Sequence, residues 1–339
     1  MHLQQRINLL VKLGNYILSE DEPWKITKEK AFRTNAWFTP EFIDLACRNI
    51  GTDFLERDKL ANWANQYDLP GENPDPLNIG IIMAGNIPLV GFHDFLCAFI
   101  SGHRQTIKLS SKDNILITHL VQQLYAWDAS VQDFISFGEM LKGCDAYIAT
   151  GSNNTARYFD YYFGKYSHII RRNRTSVAIL HGNESKDELE KLADDVYFYF
   201  GLGCRNVTKI YVPENYDFVP LLGAFRKFNY LADHNKYKNN YDYQLAILIL
   251  NKKYYMTNES IILTENNSPF SPISVLHYEY YKDLHEVREM LNENKDIQCV
   301  AGLGHTPFGQ AQKPSLMDYA DGADTLQFLH TLNKKTKQQ

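Results

Sequence analysis

Paired cysteines at metal-type spacing are missing from this sequence. Its five cysteines, Cys47, Cys97, Cys144, Cys204 and Cys299, include no Cys-x-x-Cys pair and are odd in number. That excludes a zinc ribbon and a complete disulfide framework, and leaves reduced thiols and no metal site. No apolar run approaches the roughly 18 residues that a bilayer-spanning helix needs, so no membrane span is expected. A surplus of positive charge is also lacking, since 35 Lys and Arg face 40 Asp and Glu, for a net charge of −5. A general nucleic-acid binder must neutralise many phosphates, and this balance argues against one. The densest internal basic run, Arg171-Arg172-Asn173-Arg174, reads equally as a solvated loop or an anion site, and Lys334-Lys335-Thr336-Lys337 as a frayed terminus. The opening MHLQQRINLL has neither the signal layout nor a cleavage site, which makes the cytoplasm the expected compartment. There is no internal repeat and no long low-complexity tract. With 44% hydrophobic and 22% charged residues the chain is globular, and 339 residues predict two domains.

What is present is a regular alternation. Leu3, Ile7, Leu10, Val11, Leu13 and Ile17 recur at near-helical spacing before a break at Glu20-Asp21-Glu22-Pro23. Thr39-Pro40-Glu41 reads as an N-cap with proline at the first helical position, opening a helix to about Arg48. The densest punctuation lies at 68–76, and beyond it strand-like segments at 79–83, 105–109, 146–149, 168–170 and 176–180 are separated by helical stretches near 91–100, 114–127 and 155–162. That rhythm predicts βαβ units, and hence an α/β fold with a parallel sheet covered on both faces. Residues 186–200 read as one amphipathic helix that stops at Gly201-Leu202-Gly203, with a strand at 207–212. Further strands are expected at 243–250, 260–263, 274–276 and 297–301, and a helix at 284–293.

Cys204 follows the glycine stop directly. Glycines let a backbone approach a substrate closely and leave amide N–H groups to face an oxyanion. A lone cysteine is more often a small buried hydrophobe, the reading that suits Cys47 and Cys97 in apolar helical runs and Cys144 and Cys299 beside strands. Cys204 differs in its company.

Ile79-Gly80-Ile81-Ile82-Met83-Ala84-Gly85-Asn86-Ile87-Pro88-Leu89 resembles the aldehyde dehydrogenase strand and turn that ends in Trp-Asn-Phe-Pro-Leu. The resemblance makes Asn86 the asparagine whose amide, with the N–H of the nucleophilic cysteine, forms that family's oxyanion hole. Thr106-Ile107-Lys108-Leu109-Ser110-Ser111 is similar to the Lys-Pro-Ser-Glu strand end that holds the adenosine ribose. Ala149-Thr150-Gly151-Ser152 resembles the Phe-Thr-Gly-Ser turn where the cofactor pyrophosphate meets a helix N-terminus. Phe200-Gly201-Leu202-Gly203-Cys204, with Lys209 five residues on, resembles the nucleophile loop. Ser268-Pro269-Phe270-Ser271-Pro272-Ile273 is similar to the Glu-Ile-Phe-Gly-Pro-Val segment beside the nicotinamide ribose, and Pro307-Phe308-Gly309 to a late Pro-Phe-Gly turn. The matches fall in family order over 79–309. The stretches 85–89, 108–113 and 203–207 most resemble the acyl-CoA reductases related to the reductase of the bacterial luciferase fatty-acid reductase complex.

Departures from the pattern carry information of their own. Aldehyde dehydrogenases use a glutamate in a Glu-Leu-Gly-Gly segment to activate water against the thioester. Ile169-Ile170-Arg171-Arg172-Asn173-Arg174 stands in its place, and no carboxylate lies between Gly164 and Asn183. Without a positioned base, attack by water loses roughly 10²–10⁴-fold, and the acyl group is left for exchange with another thiol. Ser111 and then Lys112 replace the ribose-binding acid, which favours NADPH over NADH, although Lys112 reads equally as a solvated loop residue. Ser268 replaces the second ribose-binding glutamate.

The resemblance implies an aldehyde dehydrogenase-like architecture of two Rossmann-like α/β domains with the active site in the cleft between them. Residues 1–172 would bind the cofactor through Lys108, Ser110, Ser111, Lys112, Thr150, Gly151, Ser152 and, from the other domain, Phe270. Residues 173–310 would carry catalytic Cys204, and 311–339 would pack back across the domains. The implied reaction is reduction of an acyl-CoA to the aldehyde through an acyl-Cys204 thioester, with CoA as the leaving group, Asn86 as the other catalytic residue and Arg205 helping to lower the thiol pKa. An acyl-donor or aldehyde-consuming protein is a further expected partner, and homo-oligomerisation stays open. One alternative is an acyl phosphate reductase of the same superfamily. Another is a cofactor-independent cysteine acyltransferase or thioesterase that pairs Cys204 with His93, His181 or His305.

Overall fold

The computed structural model describes residues 1–335, so the basic tail leaves the described residues from Thr336 on. The chain divides into two compact units, Met1–Asn173 together with the chain from Pro314 on, and Arg174–Lys313.

The first unit begins with helices α1 (Leu3–Ile17), α2 (Glu22–Thr34), α3 (Pro40–Asn49) and α4 (Arg57–Gln66). A capping box between His2 and Gln5 opens α1, and prolines sit in the first turns of α2 and α3, where a missing N–H costs nothing. Their apolar stripes bury Leu10, Leu13, Trp24, Phe42 and Leu60 completely. There follow β1 (Asn78–Ile82), α5 (Phe92–Ile100), β2 (Arg104–Lys108), α6 (Ile115–Trp127), β3 (Ile135–Phe137), β4 (Ala146–Thr150), α7 (Asn153–Phe163) and β5 (Ser167–Arg171). The five strands are parallel in the order β3-β2-β1-β4-β5. Central β1 has Ile79 and Ile81 fully buried, as a strand covered on both faces requires.

The second unit holds β6 (Thr175–Ile179), α8 (Lys186–Tyr197), β7 (Val207–Pro213), α9 (Phe218–Phe225), α10 (Asn235–Leu250), β8 (Met256–Thr257), β9 (Ile262–Glu265), β10 (Val275–Tyr281), α11 (Leu284–Glu293) and β11 (Ile297–Gly302). Its sheet runs β11-β6-β7-β10-β9-β8, with only the short edge strand β8 antiparallel. The chain then returns to the first unit as α12 (Thr325–Lys335), which packs on α5 and buries Leu326 and Leu329.

Two expectations need correction. Residues 243–250 form the end of α10 rather than a strand. The run from Leu245 to Leu250 is continuously apolar, a pattern that periodicity cannot assign. The polar turns before it decide the matter: His234 caps the helix by accepting the Tyr237 N–H, and Tyr237 and Tyr241, one turn apart, are buried. Helix α8 also ends at Tyr197, three residues earlier than its apolar pattern extends. Tyr199, Phe200 and Gly201 then take φ of 54°, 57° and 74°, a left-handed run that no α-helix accommodates.

Candidate functional site

In the first sheet β1 and β4 are neighbours, yet the chain leads from β1 to β2 and β3 on one side and from β4 to β5 on the other. Connections that diverge in this way open a crevice at the carboxyl ends of the two strands, where open α/β sheets take their ligands. Asn86, exposed, lies on the loop after β1, and Thr150-Gly151-Ser152 lie at the end of β4. Ser152 caps α7, its Oγ accepting the Thr155 N–H at 3.3 Å. A capped helix N-terminus with its partial positive charge therefore faces this crevice and suits an anion such as a pyrophosphate.

The Asn86 loop is held closely. A Cβ on Gly85 would lie 2.6 Å from Ser110 Oγ and 3.1 Å from the Asp113 nitrogen, so only glycine lets the exits of β1 and β2 touch. Leu89 adopts a left-handed φ of 56°, and its N–H donates to Asp113 Oδ2 at 2.7 Å. Burial pushes the Asp113 carboxyl up to about 7. Nothing in the sequence pattern pointed to Asp113 as the clamp on this loop.

A pocket of about 710 Å³ lies at the carboxyl ends of β2 and β3 and is lined in part by Leu109, Ser111, Asn114, Phe137, Glu139 and, from α2, Lys30. Of the residues expected to hold the cofactor, Ser111 lines it, whereas Lys108, Ser110 and Lys112 do not. Alternation along β2 explains the first of these, because Ile107 and Leu109 face the pocket and Lys108 the other side. The lining, the crevice and the capped α7 together fit a dinucleotide, with Ser111 in place of an acid that would repel a 2′-phosphate.

In the second unit, Cys204 is the one cysteine of the five that is not buried. It sits in the turn between the left-handed run 199–201 and β7. Ser176 Oγ, near the start of β6, donates to the Cys204 carbonyl at 3.0 Å. Asn206 Oδ1 accepts the Gly203 N–H at 2.8 Å, so that amide holds the turn together rather than facing an oxyanion. The Phe270 segment is tied to the same edge of the sheet. Thr208 Oγ1 donates to the Pro269 carbonyl at 2.6 Å, Lys209 Nζ to the Asn267 carbonyl at 2.8 Å, and His277 Nδ1 lies 2.9 Å from the Ser268 carbonyl. Buried Lys209 also pairs with Glu279 on β10. Cys204 and Phe270 therefore share the amino edge of β6 and β7, each fixed by side chains of those strands.

A family model described as acyl-CoA reductase (LuxC) matches residues 48–220, a span of half the chain that includes Asn86 and Cys204. The chain belongs to this family. Membership makes it an NAD(P)-linked oxidoreductase of the aldehyde dehydrogenase superfamily, and solved structures carry the same fold. An NAD-dependent aldehyde dehydrogenase from Sinorhizobium meliloti aligns at 13% identity and a TM-score of 0.65, over 89% of this chain and 70% of that one. Betaine aldehyde dehydrogenase from Staphylococcus aureus aligns at 12% and 0.66, over 96% and 74%. The NADP-dependent glyceraldehyde-3-phosphate dehydrogenase from Bacillus halodurans aligns at 13% and 0.60, over 89% and 74%. No curated protein matches the sequence significantly.

The stretch 169–174, which resembles the glutamate segment in position only, begins as the end of β5. The last residue of that strand, Arg171, is buried and pairs with Asp94 of α5, while Arg171 Nη2 donates to Thr325 Oγ1 at 2.7 Å. Asp94, a carboxylate brought close to this stretch, is thus engaged by a guanidinium. Two of the three histidines named as partners for a cysteine hydrolase, His181 and His305, lie at the other end of the sheet from Cys204. His93 is in the first unit, its ring packed among Phe54, Trp63 and Tyr319 with Nε2 at 3.0 Å from the Leu316 carbonyl. His181 and His305 line a pocket of about 730 Å³ at the carboxyl ends of β6 and β11. Cys204 is tied to Ser176 at the opposite end of β6, five residues from His181, or about 16 Å at about 3.3 Å per strand residue. A nucleophile and its base must meet within hydrogen-bond reach.

Proposed function

We propose that the protein reduces an acyl-CoA to the corresponding aldehyde through an acyl thioester on Cys204. The observation that carries this reading is an accessible cysteine held in its turn by Ser176 and Asn206, and the resemblance adds to it that the stretch set against the water-activating segment has no carboxylate of its own. Cys204 as thiolate attacks the thioester carbonyl, forming a new C–S bond. The side-chain amide of Asn86 and the Cys204 N–H receive the charge that develops on oxygen. The bond to CoA then breaks, and CoA leaves with the electron pair. A nicotinamide dinucleotide, when bound, supplies hydride to the acyl carbon. Thr150, Gly151 and Ser152 would hold its pyrophosphate at the α7 N-terminus and Phe270 its ribose, while Ser111, in place of an acid, would tolerate the 2′-phosphate of NADPH. The resulting hemithioacetal on Cys204 collapses to free aldehyde and restores the thiolate. With no base to recruit water, the acyl-enzyme persists until it is reduced or returned to a thiol.

Purified protein incubated with acyl-CoAs of graded length and either NADPH or NADH tests this reading, with aldehyde and free CoA as the readouts. Aldehyde and CoA in equal amounts, lost in Cys204→Ala, are expected. CoA release without aldehyde, or activity that survives Cys204→Ala, overturns it. Turnover of acyl phosphates with phosphate release, and none of acyl-CoA, moves the substrate assignment to the neighbouring branch of the superfamily.

A further inference from the structure

The mechanism leaves unused a buried polar chain in the second unit. Asn206 has no exposed surface, and both ends of its side chain are engaged. Oδ1 accepts the Gly203 N–H at 2.8 Å, while Nδ2 faces the carbonyls of Asp195 at 3.1 Å, Val196 at 3.3 Å and Phe198 at 2.7 Å. Those carbonyls belong to the last turn of α8 and the residue after it, groups that a helix C-terminus leaves without intrahelical partners. Asp195, equally buried, turns its carboxylate the other way and accepts the N–H groups of Gly309 at 2.7 Å and Ala311 at 3.0 Å. One continuous connection therefore runs from the 307–311 turn through Asp195 and Asn206 to Gly203, the residue before Cys204.

An amide suits the central position for a specific reason. It presents an acceptor and two donors on one planar group, and here the acceptor meets an N–H and the donors meet carbonyls. Aspartate would keep the first contact but set a carboxylate against three carbonyl oxygens. An aliphatic side chain of the same volume would satisfy neither.

We propose that Asn206 is the positioning residue of the nucleophile. It fixes the Gly203–Cys204 backbone relative to the end of α8, and Asp195 extends that hold to the 307–311 turn. This rests on the reading of Cys204 as nucleophile. Neither residue touches the acyl group, and their effect is exerted through the orientation of the sulfur. A displacement of reacting atoms by about 1 Å costs about 10²-fold in rate, which sets the expected scale.

The test uses full-length Asn206→Ala and Asp195→Ala, compared with wild type by melting temperature, acyl-CoA reduction kinetics and the pH profile of iodoacetamide alkylation at Cys204 read by peptide mass spectrometry. The other four cysteines are buried, so alkylation of the native protein reports on Cys204. In folded Asn206→Ala, kcat is expected to fall about 10²-fold with both KM values within about twofold, and the alkylation profile to shift. Asn206→Asp, which keeps the Gly203 contact, should fall between wild type and Asn206→Ala. Folded variants with wild-type kcat and alkylation profile, differing only in melting temperature, reduce Asn206 to a helix cap and overturn the proposal. Should Asn206→Ala not fold, Asp195→Ala carries the same test from the other end. A shifted alkylation profile in a protein that reduces no acyl-CoA leaves the positioning role standing and the proposed reaction refuted.

Discussion

Replacing Asp195 with asparagine exposes a pH dependence built into the second unit. Burial pushes this carboxyl from the ordinary 3.8 up to about 7, even though the Gly309 and Ala311 N–H groups oppose the rise. Because the folded value lies above the unfolded one, the native state holds the proton more tightly, and folding takes up a proton between about pH 4 and pH 7. Stability therefore falls as pH rises through that window. A gap of about three pH units at about 1.4 kcal/mol each amounts to about 4 kcal/mol of charge-burial cost at pH 8 that is absent at pH 4. Asparagine carries no charge and retains an acceptor for one of the two N–H groups, at a loss of about 1 kcal/mol. Urea unfolding followed by far-UV circular dichroism should find Asp195→Asn slightly less stable than wild type at pH 4 and more stable at pH 8. Asp113, pushed to about 7 by burial in the first unit, adds a dependence of the same sign that this variant leaves in place. Parallel stability profiles for the two proteins from pH 4 to 8 would refute the reasoning.

Other perturbations have equally definite outcomes. Asp94→Asn leaves the Arg171 guanidinium buried without its partner and should cost about 3–5 kcal/mol, whereas joint replacement with Asp94→Leu and Arg171→Met should recover most of it; chemical denaturation measures both. Gly85→Ala drives a methyl against Ser110 and Asp113 and should destabilise the first unit by about 1–3 kcal/mol, while lowering turnover because the Asn86 loop must shift. Ser111→Glu places a carboxylate in the pocket at the end of β2 and should lower the NADPH to NADH preference at least tenfold in kcat/KM, with an unchanged ratio counting against that pocket as the adenosine site.

The α/β alternation was legible because its strands are short, β-branched and separated by helices with ordinary caps. Ile79, Ile81 and Ile148 fall in segments read as strands, and all three lie in strands and are buried. Cys204 was legible as a loop cysteine, since the glycines around it announce a turn. Residues 243–250 were misread because a continuous apolar run has no period, and the deciding features, the His234 cap and the buried Tyr237 and Tyr241, lie outside the run. The end of α8 was misplaced because Tyr199 and Phe200 are aromatic residues in a left-handed conformation that composition does not foretell. Asn206 and Asp195 carry no local signature, for the role of Asn206 exists only once the chain turns back on the end of α8, and that of Asp195 only once the 307–311 turn meets it. Lys108 and Ser111 shared one motif in the sequence and diverge in space because Lys108 ends β2 on the side opposite Ile107 and Leu109, whereas Ser111 lies in the turn that follows.

The decisive measurement is the intact mass of the protein after exposure to an acyl-CoA with no dinucleotide present, followed by addition of NADPH. A single acyl adduct that maps to Cys204, is stable in water and is discharged as aldehyde on addition of NADPH is the expected result. An adduct on another residue, or one on Cys204 that hydrolyses to the free acid at the same rate with or without NADPH, would contradict it.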